Sequence, residues 1–218
     1  MARHLFTAAV LGFCAAAPLV AAAGPIPPLT EAQLTIIKGY ALAELDAFSQ
    51  DPGVIYAIEE QNGLNARLTQ RRIERLDRAW QAGDSHSLMA RELMGRQESF
   101  FLHERREKSD GVITEFIVMD RLGLNVAISD YTSDLWQGDE AMFLETFPRG
   151  VGAIHVSAPN TDDHLHRVQV EVSVTIAAPD TGAPIGALTV GIDVERALEK
   201  AGESAVGEAG TEHLQDPA

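Results

Sequence analysis

Gly111–Glu140 reads GVITEFIVMDRLGLNVAISDYTSDLWQGDE. Val112 to Met119 alternates apolar and polar with the period of a strand, and Leu124 to Ile128 alternates again. Asp120-Arg121-Leu122-Gly123 separates the two runs with turn chemistry, so the pair predicts an antiparallel hairpin. Beyond Ile128 the chain becomes polar and acidic around two aromatics, Tyr131 and Trp136.

Downstream of this segment the strand period continues. Ala141 to Phe147 has room for one or two helical turns, and Ala153 to Ser157 reads as a short strand. Pro159 to His164 is a polar connection. Arg167 to Ala177 sets Val168, Val170, Val172, Val174 and Ile176 on one face; Asp180-Thr181-Gly182 turns the chain, and Pro184 to Val194 closes the sheet.

Upstream the period is helical. Thr30 caps a helix in which Leu34, Ile37, Ala41, Leu45 and Phe48 share a face. Asp51-Pro52-Gly53 breaks it. A second helix runs from Val54 to about Glu60, with Gly63 as an interruption. Leu64, Leu68, Ile73, Leu76 and Trp80 mark a third, with arginines 67, 71, 72, 75 and 78 on its outer face. A fourth helix, capped by Asp84 or Ser85, takes its apolar contacts from Leu88, Leu93, Phe100 and Phe101. Helices followed by about five antiparallel strands predict an α+β fold. Residues 24–110 form its helical part and residues 111–200 its sheet, around one core.

The termini read differently. Arg3 and His4 precede an apolar stretch from Leu5 to Val20, and Ala21-Ala22-Ala23 offers a signal-peptidase site. A membrane anchor wants about 18 unbroken apolar residues, whereas Pro18 and the small-residue exit fit cleavage near Ala23. Phe13 stands where a lipoprotein signal before Cys14 needs a small residue. Residues 1–23 are therefore read as a signal peptide and the remainder as periplasmic or secreted. Cys14 is the one cysteine, so the mature chain holds neither a disulfide nor a thiol nucleophile. Residues 201–218 are small, acidic and aperiodic, and read as a disordered tail.

The formal net charge is −15. A surface this acidic repels phosphate backbones, so no nucleic-acid partner is expected. Such acidity steers cations such as polyamines or metal ions, or simply maintains solubility. Neither a Gly-x-Ser-x-Gly elbow, a His-Glu-x-x-His pair, nor a phosphate-cradling or dinucleotide glycine loop is present. The sequence thus predicts no enzyme and no cofactor. His164-Leu165-His166 with Asp162 and Asp163 raises zinc, but the other histidines are scattered, and a solvated loop with no metal is the reading adopted.

Four motifs recur in order: Thr114–Asp120 (TEFIVMD), Gly123–Ala127 (GLNVA), Ser129–Glu140 (SDYTSDLWQGDE) and Ile185–Val194 (IGALTVGIDV). With these the chain resembles the extracytoplasmic single Cache domains, PAS-like (PDC) sensors, in their stand-alone secreted form. The resemblance covers roughly Leu88 to Glu195. It implies a long helical region beside a curved sheet of about five strands, with a small ligand between that sheet and the loop after the second strand. Amino acids, amines and small organic acids are the ligands it implies, and a membrane receptor or kinase the partner. An amine-binding acid near the position of Asp193 is implied as well.

Six residues are candidate ligand contacts. Trp136 can stack on a cationic group or plug the core edge. Asp130, Asp134 and Asp139 can pair with an ammonium or cap turns. Asp193, an acid in an apolar closing strand, either meets the ligand amine or caps the following helix. Tyr131 can donate a hydrogen bond. The leading expectation is a small-molecule sensory module. The alternative is a protein-interaction module without small ligand, working through the N-terminal helix, in which a homodimer is one form.

Overall fold

The computed structural model describes residues 26–83, 85–161 and 167–202. Thr30 opens α1 (Glu31–Ser49) with a capping box: its hydroxyl accepts the Gln33 N–H, while the Gln33 side chain accepts from the Thr30 backbone. Asp51 opens α2 (Pro52–Leu64), its carboxylate accepting from Gly53 and Val54. Gly63 does not interrupt this helix, which carries its register through to Leu64. One glycine costs about 1 kcal/mol, and the burial of Val54, Ile55, Ile58 and Gln61 on the same helix outweighs it.

α3 (Gln70–Gln81) starts later than the leucine spacing predicts, because residues 65–67 form a turn. The expected fourth helix is two. Ser87 caps α4 (Leu88–Met94), and α5 (Gln97–Glu107) restarts after Gly95, where an added Cβ would stand 2.8 Å from the Arg91 carbonyl oxygen. Phe100 and Phe101 do not supply the expected contacts; they are 55% and 49% exposed, and α5 buries Ser99 and Leu102 instead.

The strands are β1 (Ile113–Asp120), β2 (Asn125–Ile128), β3 (Ile154–Val156), β4 (Asn160–Thr161), β5 (Val168–Ala177) and β6 (Pro184–Asp193). Their order is β2-β1-β6-β5-β3, with β4 also on β5, and every pairing is antiparallel. The expected α+β fold is therefore present, with one short strand inside what reads as a polar connection. The short helix α6 (Ala141–Leu144) follows the acidic loop, and residues 194–202 are helical after β6. Residues 1–23, Asp84, the His164-Leu165-His166 stretch and all but two residues of the tail lie outside the described residues.

Strand alternation sends side chains to two faces. Phe116, Val118, Val170, Val172, Leu188, Val190 and Ile192 form the larger core with Ile37, Ala41 and Leu45 of α1, Ile58 of α2 and Leu102 of α5. Ile117, Met119 and Ala187 face the other way, into a smaller core with Ile73 and Trp80 of α3, Ala90 and Leu93 of α4, and Phe143 of α6. That second core covers only part of its face. The uncovered part, at the Glu115 end of β1 and the Gln169 end of β5, is polar.

Candidate functional site

A cavity of about 400 Å³ opens over this polar part of the sheet. Glu115 and Ile117 of β1, Gln169 and Glu171 of β5, and Asn160 and Thr161 of β4 line one side. Across from them stand Tyr131 to Asp134, Gln137, Glu140 and Met142, from the acidic loop and the start of α6.

Register explains the floor. Glu115 pairs with Gly191 on β6, and Gly191 pairs with Glu171 on β5. Two glutamates therefore flank a residue without a side chain, their backbones about 10 Å apart, or two interstrand spacings. A Cβ at Gly191 would run into the Thr114 hydroxyl, the Gln169 side-chain oxygen and the Glu115 Cγ. β1 bulges between Ile113 and Glu115, and a bulge re-aims side chains. It turns consecutive residues towards Gln169: Thr114 Oγ1 donates to Gln169 Oε1 at 2.5 Å, and Gln169 Nε2 donates to Glu115 Oε1 at 3.1 Å. Asn160 Nδ2 donates to Glu171 Oε1 at 3.1 Å.

Glu115, Asp134, Glu140 and Glu171 put four carboxylates around the cavity, and none of its described lining residues is cationic. Burial pushes the Glu140 carboxyl above its ordinary range, and the negative charges of Asp139, Asp134 and Glu171 push it further. Asp77, beneath the loop, is also raised, mainly by burial; the Trp136 and Leu135 amides act against that rise, and Asp134 and Asp139 add to it. Among the described lining residues the charge is all negative, a setting that suits a ligand bringing its own positive charge.

The six sequence candidates separate in space. Tyr131 and Asp134 line the cavity. Tyr131 is stacked on Trp80 with centroids 4.7 Å apart, and its hydroxyl donates to the Trp80 carbonyl. Asp134 accepts from the Gln81 side chain and from Ser133. The other four are outside the lining. Trp136 packs against the smaller core, and its indole N–H donates to the Leu122 carbonyl at 2.7 Å, tying the loop to the β1–β2 turn. Asp193 is 2% exposed; it caps the helix at 194–202 through the Arg196 N–H and pairs with Arg167 at 3.2 Å. Asp130 pairs with Arg106 at 2.7 Å. Asp139 is exposed, and its charge acts on Glu140 and Asp77.

Glu115, Gln169, Glu171, Glu140 and Asn160 are the lining residues that sequence reasoning passes over. One signal for three of them exists. Glu115, Gln169 and Glu171 interrupt apolar strands at the positions opposite the core-facing residues, where a fully covered sheet would have apolar side chains.

The sequence matches no family model and no curated protein. Similar solved structures exist. The sensor domain of the V. cholerae histidine kinase DctB is 14% identical with a TM-score of 0.40, over 77% of this chain and 57% of that one. The ligand-binding domain of the C. jejuni chemoreceptor Tlp3, in complex with L-valine, is 16% identical with a TM-score of 0.37, over 76% of this chain and 64% of that one. The sensor domain of E. coli DcuS is 14% identical with a TM-score of 0.36, over 61% of this chain and 93% of that one. These neighbours are receptor sensor domains. The chain spans less than two thirds of the length of the DctB and Tlp3 domains.

Proposed function

We propose that the protein is a non-enzymatic sensory module outside the cytoplasm, which holds a small amine-bearing molecule in the acidic cavity and reports it to a membrane receptor or kinase. The observation that carries this reading is the cavity itself: about 400 Å³ with four carboxylates and no cationic side chain among its described lining. A half-buried carboxylate such as Glu115, Asp134 or Glu171 gains from a positive hydrogen-bonding partner, and an ammonium group supplies one. Tyr131 and Asp134 remain proposed contacts, joined by Glu115, Glu140 and Glu171. For Trp136, Asp130, Asp139 and Asp193 the proposed part is indirect, through the loop, the sheet end and the local field. A protein-interaction module without a ligand would be expected to fill this space with its own side chains, and an open cavity favours the ligand.

Thermal-shift screening against amines, amino acids and simple carboxylates tests the proposal. Amines should raise the melting temperature and simple carboxylates should not. Glu115→Gln and Glu171→Gln should each weaken a hit about tenfold or more, since a charged hydrogen bond contributes roughly 1.5–3 kcal/mol. The proposal is lost if no amine stabilises the protein, or if a hit is indifferent to both substitutions.

A further inference from the structure

α3 and the turn before it carry five arginines, at 67, 71, 72, 75 and 78, all of them exposed. Arg67 precedes the helix in the turn. At about 100° per residue, Arg71, Arg75 and Arg78 fall within a sector of about 60°, with Arg72 about 60° outside it. Ile73, Leu76 and Trp80 lie opposite, and Ile73 and Trp80 are buried in the smaller core. None of the five forms an ion pair or a side-chain hydrogen bond among the described residues.

This arrangement works against the helix. Arg71 and Arg75 are like charges four apart on the helix, and such pairs destabilise. Arg71 and Arg72 sit in the first turn, where the helix dipole repels cations and favours acids. That turn has no acidic residue, and Thr69 makes no side-chain cap. In a chain of net charge −15, the segment 67–78 is +3, five arginines against Glu74 and Asp77. Arg78, in the last turn, suits the helix dipole, but the other four gain nothing from it, and their return is sought outside the described fold.

We infer that this face is a docking surface for an anionic phospholipid membrane. Protein interfaces set their central arginines among aromatic and apolar anchors. Here the face is arginine with no exposed aromatic on α3, and exposed apolar side chains flank it in the sequence, Leu64 at 79% and Leu88 at 65% exposed. Charge over a broad strip with apolar side chains beside it suits the headgroup zone of a bilayer. The acidic remainder of the molecule is screened, because surface charges fade over about 8 Å at physiological salt. The inner face of the same helix holds the cavity loop, since Asp77 accepts from the Leu135 and Trp136 amides at 2.9 and 3.1 Å. The membrane would thus meet the outside of the element that positions the ligand loop.

Co-sedimentation of the full chain with vesicles tests the inference. Vesicles of phosphatidylglycerol and phosphatidylcholine in equal parts should bind it, pure phosphatidylcholine should not, and added salt should release it. Each arginine is expected to contribute about fivefold in affinity, so Arg71→Gln/Arg75→Gln/Arg78→Gln should lose on the order of a hundredfold. Glutamine keeps helix propensity, and relief of repulsion should leave the variant's melting temperature unchanged or higher. Arg149→Gln, which removes an exposed arginine outside α3, should bind like the parent. Equal binding to both vesicle types, or an undiminished triple variant, overturns the inference. So does a preference for an acidic polypeptide such as polyglutamate over the charged vesicles, which would make the partner a protein.

Discussion

Single residues set the cavity through what they leave out or hold apart. Gly191 leaves room between two glutamates for the Thr114 hydroxyl and the Gln169 side chain, and a methyl group there has no free volume. Gly191→Ala should cost about 1–3 kcal/mol, the usual penalty for overpacking, and should abolish amine binding at temperatures where the variant is still folded. Calorimetry on the folded variant separates the two effects. Asp120 acts on the other side of the hairpin. Fully buried, it accepts from Gln61 and Asn65 of the helical layer and from the Leu122 and Leu124 amides of its own turn, at 2.8 to 3.1 Å. Asp120→Ala would strand these donors, and a loss of about 3 kcal/mol or more is expected in denaturant unfolding. Asp120→Asn, which keeps an acceptor, should lose less.

Among the elements, α3 and the loop after β2 behave as a pair. Asp77 receives two successive loop amides, Trp80 N–H donates to the Thr132 carbonyl at 2.7 Å, and Tyr131 lies on the Trp80 ring. The cavity wall is therefore as ordered as its attachment to this helix. Asp77→Ala should loosen Leu135–Gln137, weaken amine binding severalfold and redden the fluorescence of Trp136, while the hairpin below stays intact. Faster hydrogen exchange confined to residues 131–137 would be the direct sign. An unchanged affinity would place the ligand elsewhere.

Across the whole molecule, charge couples the cavity to pH. The raised Glu140 carboxyl holds its proton more tightly in the folded chain than in the unfolded one. Stability associated with it is therefore present at low pH and falls as pH rises through the window between the ordinary and the raised value. A cationic ligand favours the ionised form, so amine affinity should climb across that same window and level off above it. Titration calorimetry at several pH values reads this, and Glu140→Gln should flatten the profile. An affinity that falls with pH in this range would contradict a cationic ligand.

How much of this was legible in the sequence depends on the range of the interaction that fixes each feature. The hairpin, the valine face of β5 and the closing strand follow from period alone, because alternation reports which side of a strand is buried. The acidic loop was legible as one wall of a site for the same local reason: its composition changes abruptly at Ser129. The opposite wall was not. Glu115, Gly191 and Glu171 meet through antiparallel pairing between positions 76 and 20 residues apart, and the longer of these registers has no local signature. The bulge that turns Thr114 and Glu115 to one side depends on the same pairing. Trp136 and Asp193 attract notice as isolated residues, yet the fold engages one with the Leu122 carbonyl and the other with Arg167 and Arg196. The sequence by itself determined the α+β succession, the acidic loop and the arginine face of α3, all short-range patterns. Only the tertiary structure decided which carboxylates surround one cavity, because that depends on strand register and on how a loop packs against a helix some fifty residues earlier in the chain.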